Sequence, residues 1–315
     1  MKYKNIFLLF SFVMLSSCSH DNETGISQLS ADEVRLSCEV ATSRAATGVQ
    51  GNSLDPSTIL GVFVTQPVNN TTFYGYANKY YTNDGAGNLE PLSPTYFPLS
   101  NDDVDLEFIA YAPWHTTYSI LNQPHNFAVQ TDQSTSEGYI NSDLMYGTPK
   151  NGNPVHHVIS HDPANKTQNV VLSIRHLLSK ITLTLEPPST LTADGLVGAR
   201  VKLKQVGTQV KFTIADGSLG EVTVPADVLI GEISSATDLT VSGLIPPQTV
   251  VSGSAFFEVT LANGDVYEYA IPSTTTLTLG GGRNYHFKMK LKSANKTEVT
   301  MTIVDWVDVE GEYIL

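Results

Sequence analysis

Residues 256–271 run Phe256-Phe257-Glu258-Val259-Thr260-Leu261-Ala262-Asn263-Gly264-Asp265-Val266-Tyr267-Glu268-Tyr269-Ala270-Ile271. Two runs rich in β-branched and aromatic residues flank Asn263-Gly264-Asp265, which reads as a strand, a tight turn and a returning strand. Glu258 and Glu268 fall on alternating positions and mark the solvent face. The same pattern recurs in Ile59-Leu60-Gly61-Val62-Phe63-Val64, Leu106-Glu107-Phe108-Ile109-Ala110-Tyr111, Val170-Val171-Leu172-Ser173-Ile174, Lys180-Ile181-Thr182-Leu183-Thr184-Leu185, Tyr285 to Leu291 and Glu298 to Ile303. Asn83-Asp84-Gly85 and Asp216-Gly217 supply further turns. Helical periodicity is almost absent, and Pro225-Ala226-Asp227-Val228-Leu229-Ile230, closed by Gly231, is the best helix candidate. The spacing predicts an all-β protein of sandwich type. A length of 315 residues suits two sandwiches in tandem, over 51–166 and 167–315, with a seam near Asp162 to Gln168. The chain shows no internal repeat of the length that builds solenoids or propellers.

Composition sets the setting. The chain carries 18 Lys+Arg against 31 Asp+Glu, a formal charge of -13, and only two cysteines, Cys18 and Cys38. An acidic chain lacks the basic face that tracks phosphates, so nucleic acid is excluded as a lasting partner. Two cysteines cannot make a disulfide framework or an all-cysteine zinc site. Lys2 and Lys4 precede an apolar stretch from Ile6 to Leu15 that is too short to span a bilayer, so residues 1–17 read as a secretion signal. Leu15-Ser16-Ser17-Cys18 closely resembles a bacterial lipobox, which makes Cys18 the lipidated first residue of the mature chain. Ser19-His20-Asp21-Asn22-Glu23 resembles the surface-export signal of Gram-negative lipoproteins, so the expected location is the outer face of the outer membrane. Residues 18–50 form a polar tether interrupted by Val34-Arg35-Leu36-Ser37-Cys38-Glu39-Val40, whose alternation reads as a half-buried strand. Arg44 lies among small residues, a setting that proteases cut.

Catalytic patterns are missing. Gly280-Gly281-Gly282-Arg283 precedes a strand instead of opening a helix and reads as a turn, not a phosphate loop. His156, His157 and His161 with Asp162 sit in a loop rich in Asn, Pro and Gly and read as solvated. Asp102, Asp103 and Asp105 lack the glycine and distal glutamate of a calcium loop. No metal and no cofactor are expected, and no nucleophile, base and orienting group stand together. Tyr74, Tyr76, Tyr80, Tyr81 and Tyr96 cluster with Phe73 and Phe97. They read either as core and cross-strand packing or as a ligand platform, Tyr74, Tyr76, Tyr80 and Tyr81 being the candidates for a glycan.

The lipobox, Ser43-Arg44-Ala45 ahead of Ile59 to Val64, Tyr80-Tyr81-Thr82-Asn83-Asp84-Gly85 leading to Tyr96-Phe97-Pro98, and Phe108-Ile109-Ala110-Tyr111-Ala112-Pro113 together resemble the fimbrillin family of Mfa-like type V pilins. The resemblance continues through Ser142 to Gly147, Arg175 to Ile181, Ile245-Pro246-Pro247-Gln248 and the closing Asp305-Trp306, and so covers essentially the whole chain.

That resemblance implies two transthyretin-like β-sandwiches in a lipoprotein precursor. An Arg-specific protease then frees an N-terminal strand, and a strand from the next subunit fills the groove by β-augmentation. Arg44 matches the processing position, since Arg35 lies inside the predicted strand. Val34, Leu36, Cys38 and Val40 share the face of the removable strand, and Val299, Met301, Ile303 and Trp306 form the candidate donor. The partners implied are other pilin subunits, in a homo- or heteropolymer, the protease, the outer membrane and a host surface or glycan. The leading expectation is therefore a non-enzymatic pilus subunit or adhesin. The alternative is a monomeric surface lipoprotein that binds a glycan or host ligand.

Overall fold

The computed structural model describes residues 33–40, 54–67, 76–97, 104–157, 167–292 and 296–305. The first strands are β1 (Glu33–Val40), β2 (Ile59–Thr65), β3 (Lys79–Asn83), β4 (Asn88–Pro91), β5 (Val104–Ala112), β6 (Pro124–Ala128), β7 (Met145–Pro149), β8 (Val155–His157) and β9 (Thr167–His176). There follow β10 (Ser179–Glu186), β11 (Arg200–Thr213), β12 (Ser218–Glu232), β13 (Thr240–Ile245), β14 (Gln248–Val250), β15 (Ala255–Thr260), β16 (Val266–Ala270), β17 (Leu277–Leu279), β18 (Arg283–Lys292) and β19 (Lys296–Asp305). The all-β class expected from the turn spacing is what the chain adopts.

Strands of the first half close into a ring. The hydrogen-bonded order is β2-β3-β4-β1-β9-β7-β5, and β5 pairs back onto β2, with β8 added outside β5. A sheet closed on itself has no free edge inside the ring. Val34, Leu60, Val62, Tyr81, Phe108 and Leu172 are among the side chains that fill it, so it is a packed core. In the second half, β13-β10-β18-β19 face β12-β11-β15-β16 across a second core that includes Ile181, Leu203, Phe257 and Met289.

The continuous apolar run of β2 follows from burial on both of its faces. Leu60, Val62 and Val64 point into the ring, whereas Phe63 points outward into a third cluster. On β5, Leu106, Phe108 and Ala110 go inward while Ile109 and Tyr111 go outward. From the second half, Val210, Phe212 and Ile214 meet that outer face, where the Tyr111 and Phe212 rings lie 6.0 Å apart. β6 pairs with β11 from Pro124↔Thr213 to Ala128↔Gln209, so pairing crosses the expected seam at 166/167. Buried Gln133 pins the same segment: Leu244 N–H donates to its Oε1 (2.7 Å) and its Nε2 donates to Leu244 O (2.8 Å). The passage from β9 to β10 is also anchored, with Leu177 N–H bonded to Leu144 O and His176 Nδ1 2.8 Å from Asp143 Oδ1.

The helix expected at Pro225 to Ile230 is instead part of β12, and this corrects the sequence reading. Val228 and Ile230 alternate inward, a period of two that a helix cannot offer, and Val228 pairs with Leu203 of β11. The one α-helix among the described residues is Ser136–Ile140, whose first turn is capped by Thr135 Oγ1 accepting from Gly138 N–H. The glycine stretch at 280–282 is a turn that leads into β18, as expected.

Lys204 ties three strands on the outer face of the second half. A bulge between Leu203 and Val206 turns it toward Asp227 of β12 (2.7 Å) and Glu258 of β15 (2.9 Å). Glu258 is therefore more than a solvent-face marker, its side chain being only 16% exposed. Hydrogen bonds from Lys204 hold both carboxyls below their ordinary values, and Asp227 followed by Glu258 holds the Lys204 ammonium above its own. The acids thus stabilise the fold above their unfolded values of 3.8 and 4.5, and that support is lost as pH falls through the lower folded values. The lysine's share persists below 10.5 and is lost as pH rises through its raised value.

Two outcomes are expected. Phe212→Ala should cost about 3–5 kcal/mol in urea unfolding, because a fully buried ring of the third cluster is removed. Lys204→Met should cost about 1–2 kcal/mol at neutral pH, between the exposed and buried limits for ion pairs. Its gap from the wild type should narrow as pH falls below the unfolded carboxyl values of 4.5 and 3.8 and through the lower folded ones, as read by melting temperature.

Candidate functional site

β1 is the first described strand and occupies an interior slot of the ring. All eight of its residues pair in parallel with β9, from Glu33↔Thr167 to Val40↔Ile174. Its other side is held more lightly by β4, through Leu36↔Leu89 and Ser37↔Asn88. Val34 N–H donates to Thr95 O (2.9 Å) and Cys38 N–H to Gly87 O (2.8 Å). Gly87 sits at φ 97°, and a Cβ there would press on Cys38 O.

Val34, Leu36 and Cys38 are buried in the ring and Val40 packs at its margin, so the face expected from their alternation is the observed one. At about 1.5–3 kcal/mol for each fully buried aliphatic side chain, Val34 and Leu36 alone contribute roughly 3–6 kcal/mol of hydrophobic hold. Burial pushes the Cys38 thiol up to about 11, so it stays protonated and behaves as a small apolar side chain. Outward, Glu39 Oε2 meets Lys150 Nζ at 2.8 Å, and Asn169 Nδ2 donates to Ser37 Oγ at 3.3 Å. Arg35 exposes its side chain, but its backbone lies in the β9 ladder opposite Asn169. Withdrawing β1 would leave two unpaired edges, β4 and β9, and an apolar slot lined by Leu89, Val170 and Leu172. The sequence reading placed Val170 and Leu172 on a strand but did not join them with Leu89, since only the ring closure brings the three together.

At the other end of the chain, β19 pairs antiparallel with β18 over ten residues and forms the rim of its own sheet. Val299 lies opposite Met289, Met301 opposite Phe287 and Ile303 opposite Tyr285. Met301 packs on the second core. Trp306, Cys18, Arg44 and Tyr74 lie outside the described residues, as do Phe73, Asp102, Asp103, His161 and Asp162.

The remaining tyrosines of the aromatic cluster do not share one face. Tyr81 points into the ring, 1% exposed, with its hydroxyl 2.9 Å from Thr95 Oγ1. Tyr76 packs against the ring core, and its hydroxyl accepts from Tyr96 N–H (3.1 Å). Tyr80 points outward against Trp114, a residue that the sequence reading did not single out. His156 Nδ1 lies 2.8 Å from Asp105 Oδ1. Among the described residues, no group of three or more His, Cys, Asp or Glu side chains is placed to hold a metal ion.

A family model described as fimbrillin-like matches residues 43–306. A proposed cell adhesion protein from Bacteroides uniformis is similar in structure at 21% identity and a TM-score of 0.63, over 88% of this chain and 100% of that one. Another, from Bacteroides ovatus, gives 16% identity and a TM-score of 0.64 over 89% and 100%. The tip fimbrial protein Mfa3 from Porphyromonas gingivalis, with a C-terminal truncation, gives 13% and 0.50 over 87% and 100%. At these identities the structures show the shared fold. No curated protein matches the chain. With a family match spanning most of its length, the chain belongs to the fimbrillin-like family, whose members are fimbrial structural and adhesion proteins and not enzymes.

Proposed function

We propose that this chain is a subunit or adhesin of a surface pilus, made as a lipoprotein precursor and assembled by protease-triggered strand exchange. The observation that carries this reading is the position of β1, a first strand that closes a ring and precedes Arg44. Cleavage after Arg44 would cut the covalent link between β1 and everything that follows. The family match begins at residue 43, so β1 lies outside the matched span. In this reading Cys18 carries the lipid that holds the precursor at the outer membrane. In the same reading the two cores would belong to two transthyretin-like domains, with β6 lent by the first to the second.

The vacant slot needs a strand with apolar residues at alternate positions. Glu33-Val34-Arg35-Leu36-Ser37-Cys38 is matched by Glu298-Val299-Thr300-Met301-Thr302-Ile303, with apolar side chains at the same three steps and polar ones between. This supports β19 of a second copy, with Trp306 beyond it, as the incoming strand. Leaving its own sheet would break strand pairing with β18 alone, because β19 has one hydrogen-bonded strand neighbour among the described residues, and would lift Met301 from the second core. The exchange is β-augmentation, with backbone hydrogen bonds supplying affinity and alternate pockets supplying register.

Arg44→Ala should leave a lipidated precursor starting at Cys18 and no polymer. The wild type should give a ladder that collapses on boiling to a chain starting at Ala45, read by denaturing gel and N-terminal mass spectrometry. Normal polymer from the variant would overturn the Arg44 assignment. In the uncleaved chain, Leu36→Ala should cost about 2–5 kcal/mol and Arg35→Ala less than about 0.5 kcal/mol in urea unfolding. Equal costs would mean that β1 does not sit in the ring.

A further inference from the structure

A second surface of the ring is built independently of the β1 slot. Tyr80 stands on the outer face of β3 opposite Gly61 of β2, which in turn lies opposite Tyr111 of β5. Any side chain at Gly61 would collide with the Tyr111 ring, so the glycine lets that ring lie flat beneath the surface. The Tyr111 hydroxyl donates to Asn78 Oδ1 (2.7 Å), and Asn78 Nδ2 donates to His115 O (2.9 Å). Asn78 is held at φ 51°, a left-handed conformation that asparagine tolerates. Its carbonyl accepts the indole N–H of Trp114 (3.3 Å), while the backbone N–H of Trp114 reaches Ile59 O (2.9 Å).

Both donors of Trp114 are thus turned toward protein, and the part of the indole that meets solvent is carbon. Tyr80 and Trp114, each half-buried, form an edge-to-face corner with ring centroids 5.0 Å apart at 81°. Polar groups follow at once in the chain: the His115 ring is exposed, stacks on Tyr118 at 4.6 Å, and has Nδ1 2.9 Å from Thr117 Oγ1. A pre-aligned aromatic pair beside hydrogen-bonding side chains is an arrangement made for a ligand with an apolar face and a polar rim.

We infer that the Tyr80–Trp114 corner binds a neutral saccharide. The C–H face of a pyranose ring carries partial positive charge and complements the negative face of an aromatic ring, while its hydroxyls suit His115 and Thr117. A chain of net charge -13 repels anionic ligands, which argues for an uncharged sugar over a sialylated or sulfated one. The site is separate from the β1 slot, so an adhesive subunit could hold both functions at once.

The test applies the protein as taken from the cell surface to an array of neutral hexose-terminated oligosaccharides, with sialylated and sulfated glycans alongside. The expected result is retention on neutral glycans that falls about tenfold or more in Trp114→Ala and in Tyr80→Ala, and less in Trp114→Phe, at unchanged melting temperature. In the wild type, the retained sugar should also slow oxidation of Trp114 by N-bromosuccinimide, read by peptide mass spectrometry, and this decides the matter if the alanine variants fail to fold. The inference is overturned if no neutral glycan is retained, if charged glycans are preferred, if Trp114→Ala binds as well as the wild type, or if Trp114 oxidises at the same rate with and without sugar.

Discussion

Closure of the first sheet by β1 is the constraint from which the rest follows. A ring of strands satisfies every neighbour's backbone groups only while each member is present. Here the member that completes it is the first described strand, paired along its full length with β9 and more briefly with β4. β1 therefore rests chiefly on β9, and β4 closes the ring over it through only two pairs. Its three buried side chains reach the same core as Tyr81, Phe108 and Leu172, so an empty slot would be costly and a replacement strand would be favoured. The pockets that hold β1 are thus the ones on which the proposed assembly would draw.

A second consequence concerns β2 and β5. Their inner faces complete the ring core, and their outer faces meet Val210, Phe212 and Ile214 from the long β11–β12 hairpin. Together with β6 on β11 and Gln133 on Leu244, this gives the two halves a shared apolar layer. A strand exchanged at the β1 slot would thus enter a ring already braced on its opposite side. The Tyr80–Trp114 corner lies on that braced wall, positioned by the Tyr111 ring that belongs to the shared layer.

The departures from the sequence reading have a common physical cause. Pro225 to Ile230 looked helical because proline can open a helix and three apolar residues follow, yet opposite them lies β11, whose pairing imposes a period of two. Asp227, which local sequence leaves without a task, answers Lys204 across the strands. Crowding of tyrosines between residues 76 and 81 likewise conceals opposite fates: neighbours on a strand point to opposite faces, so Tyr81 is enclosed while Tyr80 meets Trp114. The helix at Ser136–Ile140 is too short to show a 3.6-residue pattern and is set by its Thr135 cap.

Local chemistry alone determined the all-β class, the hairpin at Asn263-Gly264-Asp265, the alternating face of Val34, Leu36 and Cys38, and the acidic charge. These follow from side-chain type and short-range spacing, which the backbone periods of strand and turn convert directly into structure. Only the tertiary structure decided that β1 sits between β4 and β9, that β2 and β5 are buried on both faces, that Lys204 binds two acids, and that Trp114 stands beside Tyr80. Each of those facts depends on which distant strands become neighbours, a choice made by the burial of the whole set of apolar faces at once and written in no single stretch of the chain.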